Sequence, residues 1–425
     1  MRQIIILLCF MFPVIGFSQQ RSVIQDENLV PKYNLPEILK SDKAGKIKNA
    51  DQWEKIRRPE LLKIFQEQVY GRVPGEMKIS EVIVREDNGE AFGGLAIRKQ
   101  VDLVFRNGGK ELSIALLMYL PKAVGPVPVF LGCNFMGNHA IAEDVEIRIS
   151  QSWSLNYPYV GITNNQFTEQ SRGAESERWP VKCIIENGFG VATIYCGDVD
   201  PDRNDFTDGI HPLFYEEGQS TPAPDEWGTV AAWAWGLSRV VDYLESDDQV
   251  DSRKVIAIGH SRLGKAAIWA AASDERFAAC ISNNSGCMGA ALSRRVFGET
   301  VAIINNNFPH WFNENFKEYS DVEDKLPVDQ HMLLALIAPR PLYVASATED
   351  LWADPKGEFL SAKHAGSVYD LYGLKGLSVE TMPVPDTPVI GTVSYHIRTG
   401  KHNITLYDWE QYIYFAKGHL LVSKN

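Results

Sequence analysis

The sequence predicts a three-layer α/β fold, in which a mostly parallel β-sheet is covered by helices on both faces. From residue 254 onwards, short buried runs rich in β-branched residues alternate with runs of helical periodicity, the order that builds parallel sheets. The chain has 425 residues, of which 45% are hydrophobic, enough to bury one large core or two modest ones. Because no composition break or repeat interrupts the chain beyond residue 50, we predict a single domain over residues 19–425.

The first half of this domain is predicted to contain one helix followed by four strands. Residues 58–71 place Pro59 in a first turn, apolar side chains at helical spacing and Gly71 at the end, as in an amphipathic helix. Runs rich in β-branched residues and bounded by glycine or proline then predict strands, at residues 79–84, 99–105, 112–120 and 127–131. Residues 138–180 are polar and aromatic with little periodicity, which indicates a surface insertion.

The second half supplies the alternating part of the sheet. Residues 190–195 predict a buried strand, and Asp225 is a candidate cap for a helix whose apolar positions from Val230 to Leu244 share one face. Strands are also predicted at residues 254–258, 277–282, 341–347 and 392–397, and helices at residues 264–272, 333–337 and 408–416. Parallel strands of this kind end at one edge of the sheet, where α/β proteins build their sites.

The N-terminus has the pattern of a secretory signal peptide. Arg2 supplies a positive charge, residues 4–15 are almost wholly apolar, and small residues precede Gln19. The apolar run is shorter than the ~20 residues that span a bilayer. We therefore expect residues 1–18 to be cleaved, the mature chain to have no membrane span, and the protein to be secreted or periplasmic.

Charge and composition exclude several classes of partner. The net charge of −12 argues against nucleic acid. The nine histidines show no metal-ligand spacing, so we predict no metal and no cofactor.

Of the six cysteines, Cys9 lies in the signal segment and five remain. An exported protein permits disulfides among them, but their spacing assigns no pairs. We expect a monomer.

The most informative stretch is a strand that runs into Gly259, His260 and Ser261 and continues as a helix. A serine on such a strand-to-helix turn is exposed above the sheet, and N–H groups at the helix start lie close enough to stabilise an oxyanion. The stretch departs from Gly-x-Ser-x-Gly, because Leu263 occupies the second glycine position and Gly264 follows it. Taken alone, the stretch also fits a turn with a capping serine.

The order of candidate residues along the chain favours a serine hydrolase. The α/β-hydrolase fold needs a serine, then an acid, then a histidine, each in a loop after a strand. Asp350 follows the strand at residues 341–347, and His402 follows the strand at residues 392–397. We predict that His402 takes the proton of Ser261 and that Asp350 fixes the tautomer of His402. The competing candidates are Glu349 and Asp354 for the acid, and His260, His364, His396 and His419 for the base.

Residues 259–265 read Gly-His-Ser-Arg-Leu-Gly-Lys and resemble the Gly-Cys-Ser-Arg-x-Gly-Lys signature of glucuronoyl esterases, carbohydrate esterase family 15. The resemblance covers most of residues 55–420 and includes further blocks, at residues 58–62, 307–312, 326–331, 338–343 and 351–355. It implies a secreted serine esterase of the α/β-hydrolase fold that needs no cofactor. The implied carbohydrate substrate is an ester of (4-O-methyl-)glucuronic acid, such as the links between glucuronoxylan and lignin.

The resemblance also implies a role for each matching residue. Ser261 would be the nucleophile and His402 the base, and Arg262 would lend its guanidinium to the oxyanion, since a fixed cation stabilises developing negative charge. Lys265, Glu299 and Trp352 match positions that hold the sugar. An ammonium, a carboxylate and an indole offer a donor, an acceptor and a stacking face to a sugar ring.

Two departures from the family pattern affect the expected site. His260 replaces the usual cysteine, which removes one disulfide partner. Many family members carry the catalytic glutamate after the strand that here ends near Ser282, but this chain has Asn284 in that loop and no carboxylate. The acid must then come from the later loop, which favours Asp350.

Two other functions remain open at this level. Arg262, Lys265 and Glu299 favour a uronate, but the same machinery would also serve another plant-wall ester, such as acetylated xylan. The absence of a glutamate at Asn284 would suit a non-hydrolytic carbohydrate-binding relative. The retained serine, histidine, aspartate and arginine argue against that second alternative.

Overall fold

The computed structural model describes residues 23–421. The signal segment predicted at residues 1–18 lies outside this range. Within the described range, no helix is both long enough and apolar enough to cross a membrane.

A mixed sheet of nine strands forms the centre of the molecule. In chain order the strands are β1 (Glu81–Glu90), β2 (Ala96–Asn107), β3 (Lys110–Pro121), β4 (Val127–Asn134), β5 (Gly190–Tyr195), β6 (Val250–His260), β7 (Ala279–Asn283), β8 (Leu342–Ala347) and β9 (Val393–Arg398). Across the sheet their order is β9-β8-β7-β6-β4-β5-β3-β2-β1. The strands from β9 to β5 pair in parallel, and β3, β2 and β1 are added by antiparallel pairing. The predicted mostly parallel sheet is confirmed.

Eight α-helices of six or more residues are described, and shorter α-helical segments, 3-10 turns and π-turns join them. They are α1 (Arg58–Phe65), α2 (Val181–Glu186), α3 (Thr229–Leu244), α4 (Arg262–Ser273), α5 (Val301–Asn307), α6 (Gln330–Ala335), α7 (Pro355–Leu371) and α8 (Leu406–Ala416). Shorter α-helical segments lie at Ala50–Gln52, Ala91–Gly94 and Cys196–Val199. A separate small hairpin pairs Lys40–Ser41 with Gly45–Lys46.

The side chains of β6 explain why helices cover both faces of the sheet. Val255 and Ala257 belong to one apolar cluster, together with residues of α1, α3, α4, α6 and α7. Ile256 and Ile258 belong to a second cluster with residues of α2 and α8. Because successive side chains of a strand point to opposite faces, a strand that is apolar throughout is buried on both. The three-layer arrangement is confirmed.

The structure differs from the sequence prediction at the start of α3. Gly228, not Asp225, occupies the position before the helix. Asp225 instead forms an ion pair with Arg72, at 2.7 Å between Oδ2 and Nε. The predicted cap is wrong because a partner distant in the chain takes the carboxylate.

The segment at residues 138–180 contributes no strand to the nine-stranded sheet. It contains short 3-10 turns at Asn138–Ala140, Pro158–Val160 and Glu169–Ser171. The cysteines of the described range are all unpaired, at Cys133, Cys183, Cys196, Cys280 and Cys287.

Candidate active site

Ser261 lies on the turn between β6 and α4, at the carboxyl end of the central strands. Its backbone, with φ 57° and ψ −133°, is outside the regions that residues with side chains ordinarily adopt. The turn is tight enough to require Gly259, because a Cβ there would lie 2.1 Å from the carbonyl oxygen of Leu263. Gly264 is needed as well, since its Cβ would lie 3.0 Å from the carbonyl oxygen of Gly259. The predicted strand–turn–helix is therefore present. Gly264 provides the close backbone approach that the second glycine of Gly-x-Ser-x-Gly would otherwise allow.

His402 and Asp350 lie in the loops after β9 and β8, and a hydrogen bond joins them. Nδ1 of His402 is 2.6 Å from Oδ2 of Asp350. Because an ionised carboxylate only accepts hydrogen bonds, Nδ1 carries the proton and Nε2 is left to accept one. Asp350 is 4% exposed, whereas the side chain of His402 is 40% exposed. The structure thus gives His402 a buried partner and leaves its ring accessible to a substrate.

Asn284 lies beside this pair, in the loop where the family resemblance implied a glutamate. Its Nδ2 donates to Oδ2 of Asp350 at 2.7 Å, the same oxygen that binds His402. Asn284 is 1% exposed and has a left-handed backbone with φ 47°, which asparagine tolerates better than most residues. The position where a glutamate was expected therefore contacts Asp350 and carries no carboxylate of its own.

His260 links the base to the serine turn. The ring centroids of His260 and His402 are 4.5 Å apart, and Nδ1 of His260 is 2.6 Å from Oδ1 of Asn283. Burial, together with the nearby His402, lowers the pKa of His260 well below its ordinary value. The ring is therefore neutral and places no positive charge beside His402.

The competing candidates have other partners. Asp354 forms an ion pair with Arg295 at 2.8 Å and caps α7 through the N–H of Gly357. Glu349 is exposed to solvent. The remaining histidines contact residues outside the serine turn: His364 packs on His331, His396 binds Asp408, and His419 binds the carbonyl of Gly391.

Arg262 is the first residue of α4, and its guanidinium is held from two sides. Nε lies 2.8 Å from Oδ2 of Asp202, and the guanidinium carbon lies 4.9 Å from the centre of the Phe135 ring. Oδ1 of Asp202 accepts hydrogen bonds from Trp311 at 2.8 Å and from His310 at 2.9 Å. Burial alone would raise the pKa of Asp202, but the charge of Arg262 and these bonds lower it below the ordinary value. A charged pair thus fixes the cation next to the serine.

Lys265, Glu299 and Trp352 are brought together in the structure. Nζ of Lys265 lies 3.2 Å from Oε2 of Glu299, and the N–H of Glu299 donates to the carbonyl of Trp352 at 2.9 Å. Lys265 is 3% exposed, and its ammonium also donates to the carbonyls of Ser285 and Cys287. All three donors of the ammonium are therefore engaged by protein, whereas Trp352 is 42% exposed. Contact between these side chains and a sugar stays a prediction.

Sequence reasoning missed Asp202 and Phe135, which both contact the guanidinium of Arg262. The sequence did hold a signal for Asp202. Asp198, Asp200 and Asp202 follow the predicted strand at residues 190–195, and α/β proteins place their sites at the carboxyl ends of such strands. Phe135 directly follows β4 at the same edge. An activated hydroxyl, a base with its acid and a fixed cation are the groups that nucleophilic acyl transfer requires.

Comparisons with known proteins identify the family of the chain. The family model described as glucuronyl esterase of fungi matches residues 207–373. A carbohydrate esterase from an unknown prokaryotic organism is 50% identical over 407 residues, which cover 95% of this chain and 94% of the relative. A 4-O-methyl-glucuronoyl methylesterase of Cerrena unicolor is 31% identical over 66% of this chain and 60% of its own length.

Solved structures give the same result. A promiscuous esterase of carbohydrate esterase family 15, from a marine bacterial metagenome, superposes with a TM-score of 0.88 at 51% identity, covering 94% of this chain and all of that one. A glucuronoyl esterase from Solibacter usitatus superposes with a TM-score of 0.87 at 46% identity, covering 92% of this chain and 100% of that one. The sequence relatives and the superpositions agree, and the chain belongs to the glucuronoyl esterases of carbohydrate esterase family 15.

Proposed function

We propose that this protein is a serine esterase that hydrolyses esters of glucuronic or 4-O-methyl-glucuronic acid, including the ester links between glucuronoxylan and lignin. The observation that carries the proposal is the 2.6 Å contact between Nδ1 of His402 and Oδ2 of Asp350. It gives the chain an acid–base pair even though Asn284 stands in place of the family glutamate. The relatives named 4-O-methyl-glucuronoyl methylesterases support the choice of acyl group.

In the first half of the reaction, Ser261 attacks the uronoyl carbonyl while Nε2 of His402 takes the serine proton. Asp350 holds Nδ1 and stabilises the imidazolium that forms. The negative charge on the former carbonyl oxygen is balanced by the guanidinium of Arg262 and by N–H groups at the start of α4. The intermediate then collapses, and the alcohol leaves with the proton from His402.

In the second half, water replaces the alcohol. His402 removes a proton from the water, the hydroxide attacks the acyl-enzyme, and the same cation stabilises the second oxyanion. Collapse releases the glucuronate and returns the proton to Ser261. Every proton is carried by His402, so its fixed tautomer matters in both halves.

We assign recognition of the sugar to Trp352, Glu299 and Lys265, of which Lys265 binds the carboxylate of Glu299. The exposed indole of Trp352 offers a face on which a pyranose ring packs. Glu299 binds Lys265 through Oε2, which leaves Oε1 to accept a sugar hydroxyl. In a uronate ester the sugar ring belongs to the acyl group, whereas in acetylated xylan it belongs to the leaving alcohol. A sugar held by Trp352 and Glu299 on the acyl side therefore favours a uronate over acetylated xylan.

A non-hydrolytic carbohydrate-binding relative would have no need for a buried carboxylate on His402. A serine-directed phosphonate label tests this alternative, because it reacts only where a serine is activated. We expect stoichiometric labelling of the wild-type protein and none of Ser261→Ala. The matched control is Ser246→Ala, which changes an exposed serine after α3 and should label normally. A wild-type protein that resists the label would contradict the proposal.

We also propose that the enzyme is exported, with residues 1–18 removed, and that it acts as a monomeric single domain over residues 19–425. The charged, apolar and small-residue order of the N-terminus supports export. N-terminal sequencing of the exported protein and light scattering of the purified enzyme test these points. A retained Met1 or a dimeric mass would contradict them.

A further inference from the structure

We infer that Arg398 is a positioning residue for the catalytic base, since it holds the loop that carries His402; this inference rests on the proposed function. Arg398 is the last residue of β9. Its Nη2 donates to the carbonyl of Lys401 at 2.6 Å and to the carbonyl of Asn403 at 2.7 Å. These are the two residues that flank His402, so one guanidinium nitrogen is hydrogen-bonded to the backbone on both sides of the base.

Arg398 is itself held in place by a buried carboxylate. Its Nε donates to Oδ2 of Asp408 at 2.9 Å, and Asp408 is 0% exposed. Asp408 also accepts the N–H and the hydroxyl of Thr405, which caps α8, and its Oδ1 lies 2.8 Å from Nε2 of His396. Since Asp408 is bonded to the helix and to β9, Arg398 has a fixed position relative to the sheet.

A second arginine, Arg178, contacts the same loop through the side chain of Asn403. Nε of Arg178 donates to Oδ1 of Asn403 at 2.9 Å. The guanidinium of Arg178 lies 5.8 Å from the ring centre of Phe135, the ring that also packs on Arg262. The loop of the base and the cation of the oxyanion site are therefore tied to one aromatic side chain.

The base needs such support because its own contacts are few. His402 lies on an irregular loop between β9 and α8, and its side chain is 40% exposed. Asp350 orients the ring through the hydrogen bond to Nδ1, whereas Arg398 binds the backbone that carries the ring. A displacement of about 1 Å at a reacting group lowers the rate by about 10²-fold. The contribution of Arg398 is therefore expected in catalysis, beyond its contribution to folding.

The test compares Arg398→Ala and Arg398→Lys with a matched arginine elsewhere. We expect Arg398→Ala to lower kcat on a benzyl glucuronate ester about 10²-fold, with KM nearly unchanged. Added guanidinium should restore part of the lost kcat in a saturable manner. Arg398→Lys keeps the charge beside Asp408 but lacks the planar fork, so it should fold and show an intermediate kcat.

Arg340 supplies the control. It also donates to backbone carbonyls, those of Ile337, Asp274, Phe277 and Ala271, but it precedes the amino end of β8, whereas Arg398 lies at the carboxyl end of the parallel strand β9. Arg340→Ala should lower the melting temperature and leave kcat per folded molecule unchanged. An equal loss of kcat in Arg340→Ala and Arg398→Ala would overturn the inference, because the effect would then reflect general loss of structure.

The rate of phosphonate labelling of Ser261 separates this inference from the proposed function. That rate depends on a positioned base but not on the acyl group of a substrate. We expect it to fall in Arg398→Lys in parallel with kcat. A labelling rate within three-fold of wild type would overturn the role of Arg398. A wild-type enzyme that labels rapidly but does not cleave glucuronate esters would overturn the substrate assignment alone.

Discussion

Replacing Asp350 by asparagine removes the negative charge from His402 while preserving the shape of the side chain. Oδ2 of Asp350 accepts from His402 at 2.6 Å and from Asn284 at 2.7 Å. Both contacts call for an acceptor, so the new amide should present its oxygen there and the positions of the rings should change little. What is lost is the charge opposite the imidazolium. Loss of the acid from a serine triad lowers kcat about 10⁴-fold, or about 5 kcal/mol of transition-state stabilisation.

The assay is kcat and KM on a benzyl glucuronate ester, with thermal unfolding measured in parallel. We expect kcat to fall by several orders of magnitude, KM to change little and the melting temperature to stay close to that of the wild type. Asn284→Glu, combined with Asp350→Asn, should restore part of the activity because it returns a carboxylate to the loop beside His402. Asp354→Asn is the matched control, since this carboxylate binds Arg295. A kcat per folded molecule within a few-fold of wild type would refute the assignment of Asp350.

Further outcomes follow from individual contacts. Gly259→Ala would place a Cβ 2.1 Å from the carbonyl oxygen of Leu263; overpacking of this kind destabilises by about 1–3 kcal/mol or more, so an unchanged urea midpoint would be contrary to expectation. Trp352→Ala should raise KM for methyl glucuronate at least about five-fold, since stacking contributes about 1 kcal/mol beyond area burial, and leave hydrolysis of 4-nitrophenyl acetate unaffected. Burial raises the pKa of Glu358 from 4.5 to about 8, so the folded protein keeps a proton that the unfolded chain loses. The wild type should therefore lose stability as the pH rises from about 5 to 8, and Glu358→Gln should lose less over the same range. If the melting temperatures of the two proteins fall equally with pH, this prediction is wrong.

The strands were predictable because their signal is local. Val255 to Ile258 form a continuous apolar run, and both faces of β6 are indeed buried. The order of Ser261, Asp350 and His402 was also visible, since each follows a predicted strand. Helix α7 was not predicted, although Asp354 followed by Pro355 is a typical start signal.

The parts that could not be predicted depend on contacts between distant segments. Asp202 reaches Arg262 only because the loops after β5 and β6 meet at the edge of the sheet. Asp225 was assigned to a helix start, but Arg72 takes its carboxylate. The hydrogen bonds from Arg398 to the loop of His402 depend on loop conformation, which sequence periodicity does not encode.

The central claim is tested most directly by the ratio of kcat/KM for a benzyl glucuronate ester to kcat/KM for 4-nitrophenyl acetate, measured for the wild type and for Ser261→Ala. This ratio compares transition-state binding of the two acyl groups by the same serine. We expect a ratio far above one in the wild type and the loss of both activities in Ser261→Ala. A ratio below one, or glucuronate hydrolysis that survives in Ser261→Ala, would contradict it.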